Sequence, residues 1–355
     1  MKKILIAGAG GPASEGVIKS LLSAETGFEV IGMGADIADL ALSSAPIRYL
    51  VPRATDKNYY SELVKIIEKE KPDFIHAQND REVLEISRLR DKLTNLGVRT
   101  FLPSQITVEN CVDKWKSFEL FKSAGLKVPR NLKIRKESDL QKAFTELANE
   151  EGFIWLRANV IGGGGIGALP TNDFAFAKKW IDHHNGWDNF LAAEILTSKT
   201  VTWLSIWENG NLIVAQSRSR GGWVHGNRTL SGVTGVTKIG QTISSEVVDD
   251  IAKRAIIAID KKPHGIFGVD MAYDHDGIPN PTEINIARFF TTVLFFTTAG
   301  LNLPEIFVNL CLTKNYKYGG AVVNPLPNGL LWFRGMDHEP VLMNELEFNG
   351  FISNA

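Results

Sequence analysis

Cysteine is nearly absent from the sequence. Only Cys111 and Cys311 occur, too few and too far apart for a disulfide framework or a cysteine zinc site, which points to a reducing compartment. An excess of charge of either sign is missing too. Lys and Arg number 39 against 40 Asp and Glu, so no basic field recruits nucleic acid, and a small-molecule partner is expected. Nor is there a long hydrophobic run. The most apolar stretch, FFTTVLFFTTAGL at 289–301, carries four threonines; it is too short to span a bilayer and reads as a buried core helix. Lys2 and Lys3 precede ILIA, but glycines end that apolar run after four residues, so no signal-peptide core follows and a cytoplasmic location is expected. What remains is an ordinary globular composition, 44% hydrophobic and 22% charged over 355 residues, with room for two or three domains.

Residues 1 to about 108 alternate strand and helix signals: KKILIAG, EGVIKSLLSA, FEVIGMG, YYSELVKIIEKEK, PDFIHAQ and REVLEISRLRDKLTNLG, followed by VRTFLP. Alternation on this scale predicts a parallel sheet wound by right-handed crossovers, that is, a Rossmann-like first domain. PSQITVENCVDKWKSFELFKSAG then reads as a linker and the first helix of a second domain. Mixed elements follow, with antiparallel strands FLAAEIL, TVTWLSIWENG and NLIVAQSRSR, the last two joined by the hairpin signal ENGN. The second part is therefore α+β, with a long helix at EVVDDIAKRAIIAIDKK and a tail from about 316.

The chemistry concentrates in FGVDMAYDHDGIPNPTEIN. Folding this stretch about Asp276 or Gly277 makes a hairpin that sets Asp270 across from Glu283 or Asn285, and the period of two puts Glu283 and Asn285 on one face. Two carboxylates and an amide oxygen, without His or Cys, suit a hard cation such as magnesium. The apolar flanks would bury this hairpin and leave the carboxylates in need of a partner. A hairpin whose polar residues only face water is the competing reading. Upstream, FIWLRANVIGGGGIGA sends a strand carrying Arg157 into Gly162, Gly163, Gly164, Gly165 and Gly167. Such a loop offers backbone N–H groups that lie close over phosphates, with Arg157 as a forked cation beside it. No GK[ST] follows, so it is no P-loop.

The ordered set DKWKSFELFKSAGLKVP, FIWLRANVIGGGGIG, FLAAEIL and GVDMAYDHDGIPNPTEIN resembles the ATP-grasp superfamily, in particular one synthetase half of the large subunit of carbamoyl-phosphate synthetase. The resemblance implies a Rossmann-like pre-ATP-grasp domain over 1–108, an ATP-grasp domain over 109–315 with lobes 109–190 and 191–315, and a C-terminal extension, 316–355, packing on it. It implies ATP and Mg2+ as cofactors, with Mn2+ as a substitute, and small-molecule carboxylate and amine substrates; homodimers are common among such proteins. By position, Lys114 and Arg157, with Gly163, Gly164 and Gly165, resemble the phosphate-holding groups. Glu194, Ile195 and Leu196 resemble the hinge that carries adenine. Asp270, Glu283 and Asn285 resemble the magnesium triad, and Arg288 the arginine that steadies the transferred phosphoryl group, though family members often place it one residue earlier. The second acidic residue expected after the hinge for ribose is missing, since this stretch offers Thr200, Val201 and Thr202.

Arg218 and Arg220 lie on one strand face, with His225 and Arg228 in the loop beyond; they are read either as binders of an acyl phosphate or carboxylate or as a solvated basic face. His183 and His184 end a helix and read as structural. Cys111 and Cys311 lack local His partners, which argues against a nucleophile. The expected activity is thus a carboxylate-amine ligase that proceeds through an acylphosphate. Two alternatives stand beside it. Gly8, Gly10, Gly11 and Gly16 after the first strand, with Asp36 twenty residues on, suggest an NAD-binding oxidoreductase, although G-x-G-x-x-G is not completed from Gly8 because position 13 is Ala. A nucleotide-binding module without catalysis is the other.

Overall fold

The computed structural model describes residues 1–160, 165, 167–335, 341–347 and 349. The chain opens with β1 (Lys2–Ala7), α1 (Pro12–Leu22), β2 (Phe28–Gly34), α2 (Ile37–Leu42), β3 (Ile47–Leu50), α3 (Tyr59–Glu70), β4 (Phe74–His76) and α4 (Asp80–Asn95). Their strands form a parallel sheet in the order β3-β2-β1-β4. Ile4, Leu5, Ile6 and Ala7 of β1 are all fully buried, as a strand covered by helices on both faces requires.

The glycine turn after β1 is filled by the chain itself. Gly10 has φ +89, and a Cβ there would lie 1.7 Å from the backbone oxygen of Asp39. Asp36 caps α2, accepting from the N–H groups of Ala38 (2.8 Å) and Asp39 (3.1 Å). The turn is therefore a tight structural one, and the two features that suggested a dinucleotide site serve the local fold.

The stretch read as one helix from residue 104 is two, α5 (Gln105–Val112) and α6 (Lys114–Ser123). Asp113 ends one and caps the other, accepting from Trp115 N (3.0 Å) and Lys116 N (3.1 Å). The break also lets Lys114 N donate to Asn159 O (3.2 Å) and Trp115 N to Asn159 Oδ1 (2.8 Å). These bonds pin Lys114 beside the strand that leads into the glycine loop. A small antiparallel sheet follows: β5 (Asn131–Ile134), α7 (Glu137–Leu147), β6 (Ile154–Ala158), β7 (Leu169–Thr171), α8 (Phe174–His183) and β8 (Phe190–Ala193), in the order β5-β8-β6-β7. Ile154, Leu156 and Ala158 pack into a core with α7 and α8; the alternation along β6 therefore turns Arg157 the other way.

The remaining elements are β9 (Thr200–Glu208), β10 (Asn211–Arg220), β11 (Ile239–Ile243), α9 (Glu246–Ile259), β12 (Gly265–Tyr273), β13 (Pro279–Ile286), α10 (Val293–Thr298), α11 (Leu303–Leu312), β14 (Leu331–Phe333) and β15 (Val341–Met343). They build a seven-stranded antiparallel sheet in the order β13-β12-β9-β10-β11-β14-β15. The hairpin expected at ENGN forms, with Asn209 (φ 52) and Gly210 (φ 91) both left-handed, the requirement of a type I′ turn. Val201, Trp203 and Val269 share one core with α9. On the opposite face Leu204, Ile206 and Val214 share another with α10, α11 and Val17 of α1, so the parallel sheet is docked to the large one through common apolar packing. The helix read over 289–301 is shorter than expected, spanning only Val293–Thr298. Phe289 and Phe290, before it, are buried all the same.

Candidate active site

The β12–β13 hairpin is built as its turn residues dictate. Asp274 accepts from Asp276 N (3.0 Å), Ile278 N (2.9 Å) and Asn280 Nδ2 (2.9 Å) and pairs with Lys127 Nζ at 2.6 Å. Burial pushes its carboxyl up, but Lys127 and the donors inside the turn pull it well below the ordinary range. Asp270 pairs with Glu283 and Gly268 with Asn285, with a register shift just after Asp270. Thr282 occupies that irregularity, its Oγ1 donating to Asp270 O at 3.0 Å. The regular pairing that precedes the bulge, Gly268 with Asn285 and Asp270 with Glu283, puts Asp270, Glu283 and Asn285 on one face of the sheet.

Cations converge on that face from three directions. Lys114 Nζ, nearly buried, lies 3.5 Å from Glu283 Oε2. Arg157 Nη2 donates to Thr282 O at 3.1 Å from the small sheet, while its Nε is buried without a partner. Burial lowers its pKa, opposed by the charge of Glu283. Arg220 Nη2 lies 3.5 Å from Asp270 Oδ1, which also accepts from Thr202 Oγ1. Asn285 Nδ2 donates to Asp270 Oδ2 (2.9 Å), and its Oδ1 accepts from Arg288. Among the described residues no three His, Cys, Asp or Glu side chains gather as metal ligands; two carboxylates with an amide form the only hard-oxygen set the sequence singled out.

Arg218 and Arg220 do not form a solvated basic face. Arg218 is fully buried, its guanidinium 4.9 Å from the centre of the Phe290 ring; Nη1 donates to Thr237 Oγ1 and Nη2 to Thr202 Oγ1, both at 3.2 Å. Its Nε has no partner. Burial, and then Arg220, pull its pKa down to about 9 against the attraction of Asp270. A glycine at 240 makes room, since a Cβ there would meet Arg218 Cδ at 3.0 Å. Arg220 stacks 4.0 Å over Trp223 and donates to Thr200 and Thr237 at 3.3 Å. A buried cation without a carboxylate in direct contact is costly unless an anion joins it.

Other expected residues fall elsewhere. Gly163 and Gly164, like Gly162, lie outside the described residues; Gly165 (φ +80) sits against Val233 of the β10–β11 connection. Glu194 turns its carboxylate to Arg130, accepting from the backbone N (2.8 Å) and Nε (2.6 Å), and so ties the β8–β9 connection to the start of β5. Ile195 and Leu196 follow it, half-buried. Thr200 and Thr202 face the site with hydroxyls engaged by Arg220, whereas Val201 packs on the opposite face. His184 Nδ1 bonds Trp180 O at 2.9 Å and His183 stacks near the same indole, a structural role. Burial pushes the Cys111 thiol far up and that of Cys311 to about 11, so neither is a nucleophile at neutral pH.

The sequence reading missed Asp80, Thr237, Trp223 and Phe290, and named Thr202 only in place of an absent ribose acid. Asp80 receives Arg288 Nε at 2.6 Å from the first turn of α4, beside the point where the strand order of the parallel sheet reverses. Position at that switch point is a general signal for ligand sites and was available from the strand pattern.

No protein-family model and no curated relative matches the sequence. Solved structures do. The biotin carboxylase domain dimer of Hydrogenobacter thermophilus 2-oxoglutarate carboxylase, in complex with MgADP, ADP and bicarbonate, superposes with TM-score 0.70 and 14% identity over 94% of this chain and 74% of that one. N5-carboxyaminoimidazole synthetase from Staphylococcus aureus gives 0.69 and 15%, over 99% and 96%. L-amino acid ligase from Bacillus licheniformis gives 0.67 and 12%, over 94% and 79%. The chain has the ATP-grasp fold that these enzymes share.

Proposed function

We propose that the chain is an ATP- and Mg2+-dependent ligase that phosphorylates a substrate carboxylate and couples the resulting acylphosphate to an amine. One observation carries the reading: Asp270, Glu283 and Asn285 share a sheet face onto which Lys114 and Arg157 close from separate elements. In this reading Lys114, Arg157 and the loop containing Gly163, Gly164 and Gly165 hold the phosphates, and the segment Glu194, Ile195 and Leu196 lines the adenine. The donor set fits Mg2+, with Mn2+ as a substitute, because its two carboxylates and amide oxygen are hard donors and no His or Cys belongs to it. Bound there, the cation supplies charge neutralisation and a template for the phosphates.

The chain's own residues do the rest. Arg288 steadies the transferred phosphoryl group, and Arg218 and Arg220 receive the acylphosphate or the carboxylate that precedes it. The carboxylate attacks the γ-phosphorus, the bond to the β-phosphate oxygen breaks, and ADP leaves; the amine then attacks the acyl carbon and phosphate departs. Positioning and charge stabilisation account for the catalysis, with no covalent enzyme intermediate. The complexes with MgADP and bicarbonate in the Hydrogenobacter thermophilus structure, and its dimer, support nucleotide use and a homodimer here by likeness of fold. Among the described residues no helix is long and apolar enough to cross a membrane.

The test is release of ADP and phosphate by the purified protein with ATP, Mg2+ and a panel of carboxylates, bicarbonate included, and amines. Turnover that requires one carboxylate and one amine supports the ligase. Binding of ATP without turnover on any pair would favour the silent module, and tight NAD(H) binding without ATP binding would overturn the proposal.

A further inference from the structure

Arg288 is held by two partners at once. Nε donates to Asp80 Oδ1 at 2.6 Å across 208 positions of sequence, and Nη2 donates to Asn285 Oδ1. Both members of the ion pair are largely buried, each side chain 18% exposed. Ala287, a non-glycine residue at φ 54, turns the chain between the two bonds and is fixed by its own N–H to Ile266 O at 2.9 Å. The left-handed residue spends the extra position noted in the sequence and re-aims the arginine back along β13. A continuous line of contacts results: Asp80, Arg288, Asn285 and Asp270.

Asp80 is well placed to stay ionised. It opens the sixteen-residue helix α4, whose cap Asn79 accepts from Glu82 N at 3.0 Å, and a helix N-terminus favours a carboxylate. Burial pushes its pKa up, but Arg288 and then Lys114 outweigh this and lower it. Glu82, two residues along, bonds Asn79 rather than Arg288. For Arg288, burial is outweighed first by Asp80, then by the charges of Glu283 and Asp270. Asn285 is bonded to both Arg288 and Asp270, so without the Asp80 partner the guanidinium stands one side chain away from a carboxylate proposed to take the cation.

We infer that Asp80 is a positioning residue: it holds Arg288 against Asn285 and out of ion-pair contact with Asp270 and Glu283, so that this arginine does not compete with a divalent cation for those carboxylates. The inference rests on the metal reading of the site given above. Docking of the two parts of the chain does not need the pair, because Gly16 lies against Val293 and Phe289 N donates to Gln78 Oε1 at 2.8 Å beside it.

The experiment is calorimetric binding of a non-hydrolysable ATP analogue (AMPPNP) to the full chain, with Mg2+ and with EDTA. Asp80→Asn is expected to weaken the Mg2+-dependent affinity at least about tenfold while the Mg2+-free affinity stays within about twofold. Asp80→Ser, equally acceptable in a first helical turn, should behave alike and covers a folding failure of the first variant. Adding Arg288→Gln to either removes a phosphate contact and lowers affinity in both conditions, but should recover most of the lost ratio of Mg2+ to EDTA affinity, an outcome that a merely structural role for Asp80 does not produce. Unchanged Mg2+ dependence in both single variants, or double variants no better than the single ones, overturns the inference. Absence of Mg2+-dependent binding in the unmodified chain overturns the metal reading itself, and this inference with it.

Discussion

Arg157, on the small sheet, reaches across to the large one and donates to the carbonyl of Thr282, the residue next to Glu283. Its Nε stays unpaired and no carboxylate lies within ion-pair distance among the described residues. Arg157→Met is therefore expected to weaken ATP binding more than about tenfold without lowering thermal stability, since it removes a buried charge that has no direct ion pair while keeping the stem volume. Nucleotide titration and a melting curve on the same preparation check both halves.

Arg218 presents the same trade-off deeper in the sheet. Arg218→Met should hold or raise the melting temperature and abolish ligation, whereas Arg220→Gln should also disturb Asp270, which Arg220 touches at 3.5 Å. The reading fails if Arg218→Met keeps full turnover in a coupled ADP assay.

The glycine turn after β1 gives a structural prediction. Gly10→Ala places a methyl group into the Asp39 backbone at a left-handed φ and should cost about 3 kcal/mol or more, or prevent folding. Asp36→Asn keeps a good helix cap, so stability should change by less than about 1 kcal/mol, with ATP affinity unaltered. A specific loss of nucleotide binding in Asp36→Asn would revive the dinucleotide alternative.

Two buried groups oppose each other in pH dependence. Burial lowers His76 from 6.5 to about 4, partly offset by its bond to Gln78. The unfolded chain then takes up the proton first, so this stability is present above pH 6.5 and lost as pH falls towards 4. Burial raises Glu82 from 4.5 to about 7, partly offset by Asn79; that contribution is present below 4.5 and lost as pH rises to 7. The two slopes nearly cancel between pH 4.5 and 6.5. Glu82→Gln should expose the histidine slope, its stability relative to the unmodified chain growing by about 3 kcal/mol from pH 4.5 to 7. Denaturant curves at four pH values decide it; a constant difference contradicts the burial argument.

The β12–β13 hairpin was legible because everything that places it is local. A Gly-containing turn sets the register, and a period of two sets the face. Arg157 was singled out by the strand and glycine loop around it, and Lys114 by the family resemblance alone; the structure brings both to the face of Glu283. The short strands β3, β7, β11 and β14 were not: β7 is LPT, and the edge strand β3 is only four residues, so pairing rather than propensity makes them strands. The helix break at Asp113 went unseen because Asp113 acts through caps that only Asn159 makes specific. Phe289 and Phe290 looked helical because apolar burial has no period of its own in an irregular segment. Asp80 and Thr202 acquire their roles from partners many positions away, Arg288 and Asp270, and no local pattern announces such a contact.

The central claim is that Asp270, Glu283 and Asn285 carry a cation that ATP turnover requires. The most direct measurement is Mg2+-dependent ADP release by the unmodified chain and by Glu283→Gln, with acceptor substrates chosen from the panel. The account predicts turnover in the first and at least about a thousandfold loss in the second, with the fold intact by circular dichroism. Equal rates in the two, or turnover that persists in EDTA, would contradict it.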